Sequence, residues 1–510
     1  MKRGPLRALG LAATVAVASA HVGSPDTYFE GTAGPYPVRV IVRNPGVVPG
    51  LAQITVRLLA PQPVVRVLVL PVFWDPRTAA PPPPDVAQPV PGDATLYAAA
   101  LWLMRGGSYS VRVTVEGASA SGTVLVPVLA VATRRIDLQR PVAVTLLGLG
   151  AFLAIGAVTI IRAAVRDSVL APGQEPDQGR TVRARIAAVA AAGVLALTAV
   201  GGRAWWNTVD AAYRSGLYRP LHATAATRAL GAELGLRLTI DDSSWTTQQR
   251  RWTPLIPDHG HVVHLFLVRE QDLGGFAHLH PLPRDSATFE ASLPPLPAGR
   301  YRVYADIVHE SGFTETLVAT VDLLSSPVSR LPVSGDPDDA WWSGAGRREP
   351  LKDSLTVAGG VAPLADGSTM TWNRGDAPIV VDRDAPLTFV VQTPDGKPAA
   401  LEPYMGMAAH AMITRDDGAV FVHLHPAGTI SLAAQQTFIV RQPGDTVRGE
   451  LSKRLAEMDM GNGERGAVPS GEISFPYAFP KTGHYRLWVQ VRHNHRIETG
   501  VFDADVSPAR

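Results

Sequence analysis

The sequence predicts a mainly β chain made of several β-sandwiches with two transmembrane helices between them. Three observations carry this. Short period-two runs such as Tyr36–Val42, Gln53–Leu59, Val64–Leu70 and Tyr109–Val115 alternate apolar and polar residues between Pro and Gly breaks. Gly 47 and Pro 44 with only 18% charged residues suit turn-rich β-structure plus membrane segments. Two long apolar stretches, Pro141–Ile161 and Ala184–Gly202, are bounded by arginines, and each is long enough as a helix to cross about 30 Å of hydrocarbon.

Taken in order, Lys2, Arg3 and Arg7, the apolar run Ala8–Val17 and Ala18-Ser19-Ala20 read as a signal peptide over 1–20, leaving His21 as the mature N-terminus. Residues 21–138 form an outer β-sandwich, with Pro81–Pro84 as a stiff loop. Residues 141–161 and 184–202 are the spans. The loop 162–183 and its borders carry Arg162, Arg166, Arg180, Arg183 and Arg185, which places that loop in the cytoplasm and both flanking regions outside. Trp205 and Trp206 follow at the outer interface. A helical connector over 203–234 is expected next.

From 235 the chain contains one pattern twice. His264 heads a strand, His278-Leu279-His280-Pro281 follows a turn, and Gly299-Arg300-Tyr301-Arg302 precedes His309 and Glu315. The second copy has His410, His423-Leu424-His425-Pro426, Gly483-His484-Tyr485-Arg486, His493 and Glu498. The expected modules are 235–325 and 376–510, joined by a linker 326–375, rich in Pro, Gly and Asp, with some extended structure. An insertion, 427–482, carries a short helix near Leu451–Met458. Gly107-Ser108-Tyr109 is a fainter echo in the first sandwich.

Twelve of the 14 histidines lie at or after His259. Strand residues i and i+2 share a face, so His278 pairs with His280 and His423 with His425. A two-residue turn at Asp417-Gly418 sets His410 opposite His425 and Met412 opposite His423. A loop centred on Asp272 sets His264 opposite His280. Opposed Cβ atoms lie about 4.5–5.5 Å apart, a separation across which imidazoles can meet one ion at about 2.0–2.1 Å.

Candidate ligands are therefore His264, His278 and His280 with His259 and His261 in the first copy. In the second they are His410, His423 and His425 with Met405, Met407, Met412 and His493. Thioether with imidazole suits copper, Cu(I) above all; zinc is the alternative. Met458 and Met460 are a further thioether pair. The competing reading makes the histidines hydrogen-bonded structure and Met405 and Met407 core. A copper brace at His21 would need a histidine from another domain, because residues 22–138 contain none.

Absent cysteine excludes disulfides, thiolate sites and cysteine nucleophiles. A net charge of +2 gives no basis for nucleic-acid binding. No nucleophile–base ordering stands out, so an enzyme is not expected.

Leu401–His410, with Glu402-Pro403-Tyr404 and a Gly-containing turn, and Val420–Pro426 resemble bacterial extracytoplasmic YtkA-like modules, and His259–Pro281 closing with Gly299–Tyr304 is similar to the same modules. The resemblance covers roughly the C-terminal half. It implies immunoglobulin-like sandwiches of the CopC-like kind, copper handling, and His264, His278, His280, His410, His423 and His425 as the matching residues. The resulting expectation is a protein of the bacterial cytoplasmic membrane, with extracytoplasmic N- and C-terminal domains, that captures, buffers or delivers copper. It would pass the metal to another copper protein or an envelope complex. The alternatives are an envelope assembly scaffold and, weaker, a metal-dependent envelope enzyme.

Overall fold

The computed structural model describes residues 21–22, 26–75, 77, 80–171, 173–230, 233–246, 254–324, 335–344, 360–445, 448–461 and 471–509. The leader expected over residues 1–20 lies outside them. The chain is mainly β, and it divides into two units: Met1–Ala130 with Pro220–Arg510, and Val131–Arg219.

The N-terminal sandwich is one eight-stranded path. It runs Asp26–Ala33, Tyr36–Arg43, Gly50–Leu58, Asp93–Leu103, Asp85–Val90, Val64–Phe73, Gly107–Gly117 and Ser121–Ala130. The path folds over so that its two end strands touch. Period-two alternation does the sorting: Val38, Val40, Val42, Val67, Val69, Val111, Val113 and Val115 are completely buried, and residues between them face outward.

The unit 131–219 is a helix pair, Arg140–Asp167 and Gln178–Ser215. Pro141 sits in the first turn of one, where a missing N–H costs nothing. Asp177 caps the other through Arg180 N at 2.6 Å. Both are long and apolar enough to cross a membrane, with 0% and 6% of their most apolar windows buried. Both outrun the expected spans, and the second, at 38 residues, is roughly 57 Å long.

That length corrects the expected connector. The helix carries Trp205 and Trp206 on to Ser215, stops at Gly216, and is followed not by more helix but by strand Ala223–Leu230, paired with Glu233–Ile240. Alanine-rich composition read as helix, but an edge position in a sheet overrides a propensity worth only tenths of a kcal/mol per residue. The linker 326–375, expected to hold some extended structure, contributes strands Ala340–Ser343, Val361–Pro363 and Thr369–Trp372.

The two remaining modules have the same plan. In the first, a sheet ordered Leu255–Ile256, Gly299–His309, Val263–Arg269, Gly275–Leu279 and Ala340–Ser343 faces a four-stranded sheet; Thr314–Leu323 also pairs with Gly299–His309. In the second, a sheet ordered His21–Val22, Val420–Leu424, His410–Arg415, Gly483–His493, Arg496–Ser507 and Ile379–Val380 faces another four-stranded sheet. The insertion holds helices Leu432–Val440 and Glu450–Gly461 and strand Glu472–Ala478.

All three sandwiches share a tyrosine that closes on the backbone four residues upstream. Tyr301 and Tyr485 donate to Pro297 O and Lys481 O at 2.7 and 2.8 Å, and Tyr109 accepts from Arg105 N at 3.0 Å. This device of immunoglobulin-like sandwiches explains the recurring Gly-x-Tyr.

Candidate metal centre

The hairpin registers follow the turn lengths. Leu265 pairs with Leu279 in the first module, and Met412 with His423 and Ala411 with Leu424 in the second, so both strand pairs carry their histidines on one face. Those faces are not separate sites. The two sheets pack against each other about a pseudo-two-fold axis, and the repeat generates a matched interface. Phe276 stacks on Trp488 at 4.7 Å, and Phe421 on Tyr304 at 4.0 Å. Arg302 donates to Asp416 O and Arg486 to Leu273 O, each at 3.2 Å.

One half of the interface is aromatic, and the other is imidazole. Ring centroids of His264 and His423 are 5.6 Å apart, of His410 and His423 5.4 Å, and of His278 and His410 6.4 Å. Within this chamber, donor atoms of His259, His410 and His425 lie within 4.8 Å of one another, as do those of His264, His278 and His280, and those of His261, His280 and Asp336. The first set crosses modules. His259 reaches over from the first copy to His410 and His425, with centroid separations of 5.4 and 5.0 Å. Sequence reading placed each triangle inside its own module, because a rigid-body contact between repeats leaves no periodicity to read.

Four of the rings are held from behind. His425 Nδ1 bonds to Ile430 O at 2.9 Å, His280 Nδ1 to Asp339 Oδ1 at 3.0 Å, and His278 Nδ1 to Gln490 Oε1 at 3.0 Å. His423 Nδ1 lies 3.3 Å from Asp306 Oδ2. Such outer partners fix ring orientation and tautomer in metal sites. The inward nitrogens differ in kind: the Nε2 atoms of His280, His423 and His425, and both ring nitrogens of His410, are buried with no hydrogen-bond partner. His278 Nε2 meets His264 Nδ1 at 3.3 Å, and His264 Nε2 meets Asp258 O at 3.0 Å.

Burial sets the protonation. Desolvation, then neighbouring imidazoles, holds His278, His280, His410 and His423 well below the ordinary histidine value, and burial lowers His425 to about 4. Burial lifts Asp306 to about 6 and Asp339 to about 7. At Asp258 burial pushes upward too, but His259, His425, His264 and the Ala433 N–H at 2.9 Å outweigh it and bring the group down to about 2. The chamber thus offers neutral imidazoles, the form that ligates.

The remaining sequence candidates divide. His261 packs against His280 with ring centroids 4.0 Å apart and lies 3.4 Å from Asp338. Met405 is buried, and Met407 is half-buried in the same turn. Met412 joins the aromatic half with Phe266, Phe421 and Trp488. His493 is not brought to the chamber: its strand's even-numbered residues, including Trp488 and Gln490, face the interface, so an odd-numbered residue faces the core, where His493 Nδ1 bonds Asp366 at 2.8 Å. Side chains of Met458 and Met460 lie outside the described residues.

Sequence reading missed Asp258, Asp306, Asp336, Asp339 and Gln490. Asp306 and Gln490 had a signal: each lies five residues after its module's corner tyrosine, opposite the strand-heading histidine in the register His264↔Asp306 and His410↔Gln490.

The N-terminal sandwich braces the second hairpin. Ile430, whose carbonyl holds His425, is buried in that sandwich's core. Gly428 has φ +112 and approaches so closely that a Cβ there would lie 2.0 Å from Tyr28 O. Helix Leu432–Val440 starts on Asp258, and Gln435 Nε2 donates to Leu125 O at 2.7 Å.

Comparison with known proteins adds little chemistry. The family model described as Domain of unknown function (DUF8832) matches residues 222–323 and 363–508, the two histidine modules. No curated protein matches the chain. Among solved structures the chain is similar to Salmonella alpha-2-macroglobulin reacted with methylamine, with 11% identity over 95% of this chain and 23% of that one, at a TM-score of 0.18. It is also similar to a Ca2+-stabilised adhesin with which an Antarctic bacterium binds ice, with 7% identity over 91% and 71%, at 0.15. The dimeric latent PorU of Porphyromonas gingivalis gives 8% over 95% and 34%, at 0.13. The chain spans under a quarter of the macroglobulin's length. At such scores the likeness bears on neither fold nor function.

Proposed function

We propose that this is a membrane-anchored, extracytoplasmic copper-binding protein that holds its ion between the two C-terminal modules, on His259, His410 and His425. The observation that carries the reading is the set of inward ring nitrogens left without partners in a buried chamber. A buried polar atom without a hydrogen bond costs about 1–3 kcal/mol, and native chains retain few of them without a use. A scaffold with structural histidines would bond both nitrogens of each ring. An ion accepting His410 and His425 satisfies both rings at once, and Asp258, ionised at the edge of the set, offsets part of its charge. All-imidazole donors suit copper, with zinc second.

Anchoring rests on the two apolar helices, and the outward placement on the arginines between them. The YtkA-like resemblance of both hairpins agrees with copper capture, buffering or delivery. Titration of the detergent-solubilised full chain with Cu(I), Cu(II) and Zn(II) tests the proposal. Binding tighter than micromolar that is lost in His425→Ala is expected. Weaker binding, or binding indifferent to that change in a folded variant, contradicts it.

A further inference from the structure

The pseudo-two-fold axis makes a statement about a second ion. Five residues before the strand-heading His264 stands His259; five before His410 stands Met405. Both have positive φ, 52° and 49°, and both precede a glycine at positive φ, 88° and 76°. Both sit in the same closed turn. Asp258 N and His261 O meet at 2.8 Å, with the return bond at 3.0 Å; Tyr404 N and Met407 O meet at 2.8 Å, with the return at 3.1 Å.

The first turn crosses the interface to place His259 beside His410 and His425. The second crosses in the opposite direction: Tyr404 Oη donates to Asp338 O at 2.8 Å, on the segment leading into the first module's strand Ala340–Ser343. The axis that carries His410 and His425 onto His264 and His280 therefore carries His259 onto Met405.

From this we infer a second metal site, made by His264, His280 and the thioether of Met405, in which sulfur replaces the third imidazole of the first. This rests on the reading of the chamber as a metal centre and specifies its second half. His264, His278 and His280 bring donor atoms within 4.8 Å, and an ion on His264 would take the place of its contact with His278 Nε2 at 3.3 Å or with Asp258 O at 3.0 Å. His280 presents a buried, unpartnered Nε2 while Asp339 holds its other nitrogen. Two imidazoles with a thioether form a soft, singly charged-ion site that favours Cu(I) over zinc, whereas three imidazoles accept Cu(I), Cu(II) or zinc. The repeat has produced one general site and one Cu(I)-selective site in a single chamber, so the full chain takes two Cu(I) but discriminates at one position only.

The test is anaerobic loading of the detergent-solubilised full chain with Cu(I), followed by metal analysis and X-ray absorption at the copper edge. The wild type should hold two coppers per chain and show a copper–sulfur shell. That shell should vanish in Met405→Leu, and in Met405→His, which copies the His259 arrangement and should keep both coppers. His410→Ala should lose one copper and keep the shell. Two coppers with no sulfur shell, a shell surviving in both Met405 variants, or one copper bound only through nitrogen overturns the second site and leaves the first standing. No tight copper at all overturns both.

Discussion

The two halves of the inter-module interface are built from the same strands by the same repeat, yet they treat buried polar atoms differently. The aromatic half, Phe266, Phe276, Tyr304, Phe421 and Trp488, leaves one such atom without a partner, Trp488 Nε1. The imidazole half leaves Nε2 of His280, His423 and His425 and both nitrogens of His410. Stacked rings hold the modules together; the histidines subtract from that cohesion. A chain whose whole stability is about 5–15 kcal/mol does not carry such a deficit for packing's sake, since phenylalanine would pack better. The difference teaches that one half is for holding the modules and the other for holding something between them.

Breaking the aromatic half should have the largest effect on folding. Trp488→Ala removes a completely buried ring and should cost about 3–5 kcal/mol, read by denaturant unfolding, while the copper stoichiometry of the folded fraction is unchanged. The imidazole half should respond to acid. Its rings titrate lower in the folded chain than the ordinary 6.5, so the unfolded chain takes up protons first as pH falls. Metal-free stability should decline as pH falls below about 6.5, the His425 part levelling off near 4 and the rings held well lower continuing beyond it, while Asp339 and Asp306, raised to about 7 and about 6, take up protons in the folded chain and offset part of the loss. His425 alone, lowered to about 4, accounts for roughly 3 kcal/mol. Flat metal-free melting temperatures from pH 7 to 5 would contradict this. Copper at a hundredfold excess over its dissociation constant should add about 2.7 kcal/mol, seen as a rise in melting temperature. Asp339→Ala, which frees His280 Nδ1, should weaken copper at the first module's histidines roughly 10- to 100-fold and leave His410 and His425 loaded, as competition with a chelator would report.

Much of this fold was legible because its rules are local. Valine alternation gave the N-terminal sandwich, and the length of the Asp417-Gly418 turn set Met412 against His423. Where the rule was long-range, reading stopped. Nothing in the spacing of His259 says that it crosses to His410, and Asp306 backs His423 only after two sheets have met. The alanines of 223–230 looked helical until an edge strand claimed them. His493 shared the repeat with the other histidines but not the parity of its strand.

The central claim is tested most directly by His410→Leu, compared with the wild type by thermal denaturation without and with copper. His410 is completely buried with neither nitrogen bonded, so an apolar replacement should leave the metal-free chain as stable or more so, by about 1 kcal/mol. Copper should then raise the wild type above the variant. A reversal of the order on adding copper is the predicted result. A variant less stable than the wild type without metal, or an order that copper does not change, would contradict the account.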